Sequence, residues 1–487
     1  MAHVDTSVSR RAAASVDYRT AGRVEFARRF RRPLVALFLI CGDGIAAVAA
    51  VSVTRTIFEW AGAASVWRPI ASIALLIPLF LALGLYTRAD RSPYQRFRLR
   101  ILGVGSFLAL TLAAAAPSGE PGFLLLAAGC TALSVVLIGH YIEAFARSLL
   151  IRFDLWGART AIVGCDEDGL KLATYLTRRP ILGLRPIGLI GTLDDDETRR
   201  SPLPLPLIGS LANSARIPSD IEAVIFTSEV DINTFAASSH VLSSSLRLLL
   251  IEGVPDSLAL WLPAQASGGA LGVEFRRNLY LRRNRLFKRA MDIIFTIPIA
   301  LLAAPIILAL AVAIKLIDPG PAFYIHRRVG RNGAVFGMVK LRTMFADAER
   351  RLERHLAENP QARAEWARHF KLKRDPRILP GLGILMRRTS LDELPQLWNI
   401  LCGDMSLVGP RPFPAYHLES FDSEFRAIRL SVPPGLTGVW QTTSRSDGDL
   451  QAQKAEDLFY IRNWSIVLDL YVLLQTVPAV LSAEGAR

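Results

Sequence analysis

Two adjacent carboxylates, Asp392 and Glu393, stand just behind Arg388 in the run Arg388-Thr389-Ser390-Leu391-Asp392-Glu393-Leu394-Pro395-Gln396. A second arginine, Arg411, follows between Pro410 and Pro412. An ionised aspartate is a competent nucleophile toward an activated diphosphate. A guanidinium holds phosphate with two parallel hydrogen bonds. The pattern therefore points to phosphoryl transfer. The run Ser390-Leu391-Asp392-Glu393 also has the S-x-x-E form of a capping box, which predicts a helix start with Glu393 returning to the Ser390 amide. Capping leaves Asp392 unexplained. Neighbouring helical positions point about 100° apart, so the two acids serve different partners. A helix N-terminus favours both an ionised carboxylate and bound phosphate. The two like charges need screening, which calls for arginine and a divalent cation, expected to be Mg²⁺. Lys340 and Arg342 follow the basic turn Gly330-Arg331-Asn332-Gly333 and are further phosphate candidates. The expected site is thus Asp392 and Glu393 for catalysis, with Arg388, Pro410, Arg411, Pro412, Lys340 and Arg342 binding substrate. A long apolar segment just upstream makes a lipid the expected second substrate.

Residues 286–478 resemble the bacterial sugar transferase family, the polyprenyl-phosphate sugar-1-phosphate transferases. The matching blocks begin with Phe287-Lys288-Arg289 and Asp292, and continue through Gly320-Pro321, Arg328-Val329-Gly330, Lys340-Leu341-Arg342-Thr343-Met344 and Asp375-Pro376-Arg377. They end with Ser390 to Gln396, Gly403 to Pro412, Pro434-Gly435-Leu436-Thr437-Gly438 and Asp469-Leu470. Three positions depart from the family pattern: His326 for a usual Gln, Leu341 for a usual Phe and Leu379 for a usual Thr. None is one of the two acids. The resemblance implies that Asp392 is nucleophile and metal contact, that Glu393 is its partner, and that the Pro-Arg-Pro segment serves uridine binding. It implies a UDP-sugar donor, an undecaprenyl phosphate acceptor and release of UMP.

The elements that carry this site must reach a lipid. The 487-residue chain is about half hydrophobic, with mean hydropathy +0.31 and net charge +14. Its arginines flank apolar runs, so the basic balance points to an anionic bilayer surface rather than to nucleic acid. No nucleic-acid motif is present. The four cysteines form no CxxC pair and no metal spacing, and read as reduced structural residues. Residues 1–32 read as a disordered cytoplasmic tail. Four apolar runs, Pro33–Val53, Trp67–Tyr86, Leu99–Ala116 and Gly122–Ile142, each approach the roughly 20 residues needed to cross a bilayer. They predict a four-helix transmembrane bundle over 33–150. Its arginine-rich ends predict both termini on the cytoplasmic side. Asp43, inside the first run, is either a functional intramembrane acid or the partner of a neighbouring polar group.

A fifth run, Met291 to Leu316, contains Pro298 and Pro305, which kink a helix. A straight crossing would put the phosphoryl-transfer motifs outside. A helix over 286–316 that enters, bends near Ala304-Pro305 and returns keeps them inside, and the resemblance implies such a re-entrant helix. Residues 286–487 are then a mostly helical catalytic domain.

Between 157 and 265, short strands alternate with helices, which predicts a parallel, Rossmann-like α/β domain. The expected strands are Thr160–Gly164, Pro186–Gly191, Pro206–Gly209, Ala223–Thr227 and Leu248–Glu252, with a helix over Asp168–Leu176. Asp166 stands where a dinucleotide fingerprint needs glycine, and Glu167 and Asp168 follow it. Three acids there oppose a pyrophosphate, so a regulatory or assembly role is expected. The fold class is thus a membrane protein, α and α/β. The expected location is the bacterial inner (cytoplasmic) membrane, and self-association is compatible with it. The alternative function is a non-catalytic membrane scaffold for polysaccharide assembly, against which the intact acid pair and arginines argue.

Overall fold

A computed structural model describes residues 18–60, 72–86, 91–115, 121–165, 167–190, 204–209, 221–226, 247–250, 265–267, 270–272, 282–369, 372, 375–443 and 450–481. Residues 1–17 of the expected tail, the start of the second apolar run and Asp166 lie outside them. The chain divides into two compact units, Met1–Pro255 and Asp256–Arg487. The apolar helices and the sheet expected as separate domains both fall in the first.

Helix α1 (Tyr18–Trp60) already includes residues 18–32, which were expected to be disordered. Its proline, Pro33, does not end it. A 3-10 turn leads into the short α2 (Leu76–Ala82). Helix α3 spans Pro93–Ala115 and α4 spans Pro121–Arg152. The start of α3 is a reciprocal cap: the Gln95 amide donates to Ser92 Oγ at 3.2 Å and the Ser92 amide to Gln95 Oε1 at 3.3 Å. Of the four expected spans, α1 and α4 are long and apolar enough to cross a membrane. In α3 the first turns carry Arg96, Arg98 and Arg100, and α2 is short. Arg96 and Arg100 turn inward. Arg100 donates to Asp43 Oδ1 and, at 2.7 Å, to Glu143 Oε2; Arg96 Nε lies 2.5 Å from Glu143 Oε1. Tyr86 Oη adds a 2.9 Å bond to Asp43. Asp43 thus has two polar partners, Tyr86 just past α2 and Arg100 on α3, and Arg100 links it to Glu143 of α4.

The same unit carries a five-stranded parallel sheet in the order β3-β2-β1-β4-β5. The strands are β1 (Ala158–Val163), β2 (Leu184–Ile190), β3 (Leu207–Gly209), β4 (Ala223–Phe226) and β5 (Arg247–Leu250), with helix α5 (Glu167–Arg178) after β1. Each lies within a few residues of its sequence expectation. Interior strand β4 is buried throughout, as a strand covered on both faces must be. Glu222, just before β4, accepts from Arg31 of α1 at 2.7 Å, which ties the sheet to the first helix.

The second unit holds a hairpin of β6 (Gln265–Ser267) and β7 (Ala270–Gly272), then α6 (Arg282–Ile317), a continuous helix through both Pro298 and Pro305. Strands β8 (Phe323–Val329) and β9 (Val335–Leu341) form an antiparallel hairpin. Helices α7 (Ala348–Glu358) and α8 (Pro360–His369), both rich in charged residues, follow. Then come α9 (Leu382–Thr389), α10 (Gln396–Cys402), β10 (Ser406–Val408), α11 (Ala415–Leu418), α12 (Ser423–Leu430), β11 (Gly435–Thr437), α13 (Val439–Thr443), α14 (Leu450–Asn463) and α15 (Ile466–Leu481).

Both ends of α6 are fixed to this unit. At the N-terminal end, Lys288 Nζ lies 2.8 Å from Asp469 Oδ2, and Asp292 accepts from Ser406 Oγ at 2.7 Å and from the Leu407 amide at 3.1 Å. Tyr460 Oη and Trp464 Nε1 also reach Asp469, at 2.8 and 3.1 Å. Arg289 donates to the Ile400 and Leu401 carbonyls at the end of α10. At the other end, Ile314 packs with Ala322, Leu341, Leu379 and Met386. Between these anchors Ile294, Leu301, Leu302 and Leu308 are exposed.

Removing one partner of a buried ion pair strands the other charge and costs about 3–5 kcal/mol, whereas replacing both with apolar groups costs far less. Asp469→Ala should therefore make the second unit markedly more susceptible to limited proteolysis in detergent. The double variant Lys288→Met/Asp469→Leu should recover most of the protection. Equal protection of Asp469→Ala and wild type would refute this anchor.

Candidate active site

The acids sit on a 3-10 turn, Leu391–Glu393, and not on the first turn of an α-helix. The reason is Ser390, whose φ of 57° is left-handed and breaks α9 from the turn. Its hydroxyl makes no capping bond to the turn, so the expected capping role of Ser390 is not formed. The Glu393 carboxylate instead lies 2.6 Å from Lys340 Nζ. Lys340 also stands 3.8 Å from Asp392 Oδ2, so one ammonium screens both acids.

Lys340 is placed by the β8–β9 hairpin. Alternate residues of a strand share a face. In this register Tyr324 lies opposite Lys340, so Tyr324, His326, Arg328 and Lys340 line one face. The hairpin is held to the acid-bearing segment by Asn399 of α10. Its Oδ1 accepts from the Val339 amide at 3.0 Å and its Nδ2 donates to the Gly337 carbonyl at 2.8 Å. A single buried amide thus fixes the strand on both sides of Met338, two residues from Lys340.

Arg411 comes from the other side. The strands β10 and β11 pair in parallel, Ser406 with Gly435 and Val408 with Thr437. A Cβ built on Gly409 would meet the Pro433 carbonyl at 2.8 Å, and one on Gly435 would meet the Gly409 amide at 2.1 Å, so both positions require glycine. The Gly435 amide then bonds the Pro410 carbonyl at 2.9 Å. Arg429 donates to the Arg411 carbonyl and is itself held by Asp457 at 2.9 Å. The Arg411 guanidinium stands 3.7 Å from Glu393.

These groups line one open cleft of about 1480 Å³, with Asp392, Glu393, Lys340, Arg411, Arg328 and Arg387 among its walls. Of the expected substrate residues, Lys340 and Arg411 face the acids. Pro410 and Pro412 are buried and shape the backbone around Arg411. Arg388, also expected to bind substrate, is exposed and is not among the cleft walls. Adjacent helical residues diverge by about 100°, and the inward position belongs to Arg387. Arg387 Nε donates to Thr343 Oγ1 at 2.9 Å. Arg342 lines the cleft but is taken up by Asp318, through its carboxylate and its carbonyl, the latter at 2.6 Å. The sequence does not tell which of the adjacent Arg387 and Arg388 turns inward, and Arg328 stands out in it only as part of a matching block.

Burial raises the Asp392 carboxyl above the ordinary aspartate range; Lys340 pulls it down and the Glu393 charge pushes it up. Among the described residues no group of three His, Cys, Asp or Glu side chains is placed to hold a metal. The two adjacent carboxylates do fit Mg²⁺, which is commonly bound by one or two carboxylates with phosphate oxygens and water completing the set.

The family model described as "Bacterial sugar transferase" matches residues 283–483, the segment that contains the whole cleft. The undecaprenyl-phosphate galactose phosphotransferase of Salmonella typhimurium is 32% identical over 366 residues, covering 73% of this chain and 75% of that protein. The chain belongs to the bacterial sugar transferase family. Two further relatives match a shorter part of the chain. The UDP-glucose:undecaprenyl-phosphate glucose-1-phosphate transferase of Caulobacter vibrioides is 38% identical over 208 residues, 41% of this chain and 72% of its own length. The UDP-N-acetylgalactosamine-undecaprenyl-phosphate N-acetylgalactosaminephosphotransferase of Aeromonas hydrophila is 35% identical over 205 residues, 41% of this chain and 45% of its own length. This bacterial sugar transferase is therefore an enzyme of the transferase class.

A pH prediction follows from the acid pair. A nucleophilic Asp392 works only when ionised, so activity is lost as pH falls through its raised pKa. Glu393→Gln removes the neighbouring charge and frees Lys340 for Asp392, and both changes lower that pKa. The acid limb of kcat/KM should shift to lower pH in Glu393→Gln. A limb that stays in place or moves upward would exclude Asp392 as the titrating group.

Proposed function

We propose that the protein transfers a sugar 1-phosphate from a UDP-sugar to undecaprenyl phosphate and releases UMP, so initiating exopolysaccharide, capsule or O-antigen synthesis. The observation that carries this reading is the cleft itself: Asp392 and Glu393 share Lys340 and face Arg411, in the unit that bears the apolar helix α6. The named activities of the relatives supply the substrate class.

The proposed route has two displacements. An Asp392 oxygen attacks the β-phosphorus of the donor, the bond from that phosphorus to the bridging oxygen breaks, and the electron pair leaves with UMP. The phosphosugar is then an acyl phosphate on Asp392. In the second displacement an oxygen of undecaprenyl phosphate attacks the same phosphorus. The bond to Asp392 breaks, which restores the carboxylate and yields the diphosphate-linked sugar lipid. No proton is consumed in either step. Lys340 lowers the repulsion between the incoming diphosphate and the two acids, and Arg411 holds the donor. Mg²⁺ bound at Asp392 would neutralise developing charge on the phosphate oxygens.

The membrane arrangement supports the same chemistry. The first unit is read as a four-helix membrane bundle with a Rossmann-like regulatory or assembly domain, in keeping with the parallel strand order. Arg96, Arg98 and Arg100 at the start of α3, and Arg147 and Arg152 at the end of α4, favour the cytoplasmic side of the bacterial inner membrane. Helix α6 is read as re-entrant. Its two ends are held by one unit, its middle is apolar and exposed, and each proline removes a helix hydrogen bond.

The chemistry is tested with Asp392→Asn, which keeps the shape and removes the charge. UMP release from a panel of UDP-sugars with polyprenyl phosphate should fall by several orders of magnitude; near-normal turnover would sink the nucleophile. The topology is tested by single cysteines at Arg283 and Phe323 in a background cleared of native cysteines. Both should react with an impermeant thiol reagent only from the cytoplasmic side. Labelling of the second from outside would make α6 a crossing helix.

A further inference from the structure

Beside Arg411 the cleft holds a second guanidinium, that of Arg328, which the two displacements do not use. Arg328 on β8 and Arg411 in the Pro-Arg-Pro segment are brought together by backbone pairing, since the Val329 amide donates to the Phe413 carbonyl at 2.9 Å. Both line the cleft. Arg411 has its backbone fixed by Arg429, which also stacks 4.0 Å over the Phe413 ring. Arg328 has its NH2 group 3.2 Å from Nδ1 of His326, two residues along the same strand face. His326 lies between Arg328 and Lys340, and burial together with these two charges holds it below its usual value. A neutral imidazole that accepts at Nδ1 carries its proton at Nε2. It fixes the Arg328 guanidinium without neutralising it.

The charge balance then leaves an excess. Lys340, Arg328 and Arg411 face the two carboxylates Asp392 and Glu393. Glu393 is engaged by Lys340 at 2.6 Å and stands 3.7 Å from Arg411. Arg328 Nε is buried and finds no acceptor among the described residues. Two guanidinium groups lining one cleft, one of them with an unanswered donor, are complementary to a phosphate, which takes paired N–H donors.

We propose that Arg328 and Arg411 form an anion clamp for the phosphate of the leaving nucleoside monophosphate, with His326 as the positioning residue of Arg328. The proposal rests on the reading of the donor as a nucleoside diphosphate sugar. In a displacement at phosphorus the leaving oxygen departs roughly opposite the nucleophile. The transferred phosphate lies against Asp392, beside Lys340. The departing phosphate then falls on the Glu393 side, where Arg411 stands. The clamp stabilises charge that grows on the departing group, and it also holds UMP as product.

The test uses the full-length protein in nanodiscs, with UMP and uridine as competing inhibitors of transfer. Arg328→Gln should weaken UMP inhibition about tenfold or more, the loss of a charge-assisted contact. Uridine inhibition and the KM for polyprenyl phosphate should stay as in wild type. His326→Phe should move UMP inhibition in the same direction by less, again without effect on uridine. Arg328→Lys should fall between wild type and Arg328→Gln, and carries the test if the glutamine variant does not fold. Equal losses for UMP and uridine, a loss confined to polyprenyl phosphate, or no change would each overturn the clamp. If wild-type protein neither releases UMP nor is inhibited by it, the functional reading fails and the clamp with it. If wild type does both and the variants match it, the clamp alone fails.

Discussion

The second unit depends on one buried polar knot at the root of α6. Lys288, Asp292, Ser406, Tyr460, Trp464 and Asp469 come from the apolar helix, the start of β10, and α14, α15 and the link between them, and all are sealed from water. Charges so deep persist only when paired and hydrogen-bonded. The knot therefore admits one arrangement of these elements. Everything nearer the cleft is hung from it: Ser406 opens β10, β10 leads to Gly409, and Gly409 leads to Arg411. Arg289, one residue beyond Lys288, caps α10, and α10 carries the Asn399 that fixes the strand of Lys340.

The acids and their cations thus share a frame although they are far apart in sequence. Lys340, Asp392 and Arg411 each sit on a different small element, and none of these elements is long. A 3-10 turn, a two-stranded hairpin and a proline-bounded loop have little stability of their own. Their positions are set by side-chain bonds to backbone, as with Asn399 and Arg429, instead of by extended secondary structure.

Much of this was legible in the residues. Apolar runs flanked by arginine located α1 and α4, and alternating strands and helices located the parallel sheet, because burial period and charge act over short spans. The acid pair and Arg411 were legible because few other roles suit such residues at such spacing. Other features were not. The S-x-x-E pattern is local, and the pull of Lys340 on Glu393, from a strand distant in sequence, is not visible in it. Whether Arg387 or Arg388 turns inward depends on where α9 ends, and that is decided by a left-handed serine. The contact of Arg342 with Asp318, just past the end of α6, is likewise not visible in the sequence around it. Helical residues 18–32 had been masked by their arginine content, which reads equally well as a solvated tail.

The close approach of Gly409 and Gly435 has a genetic consequence. Neither residue offers a functional group, yet an added methyl at either would push apart the strands that aim the Arg411 guanidinium. A random screen for inactive alleles would therefore return changes at these two glycines alongside changes at charged cleft residues. Such alleles would yield full-length protein whose charged cleft side chains are all intact.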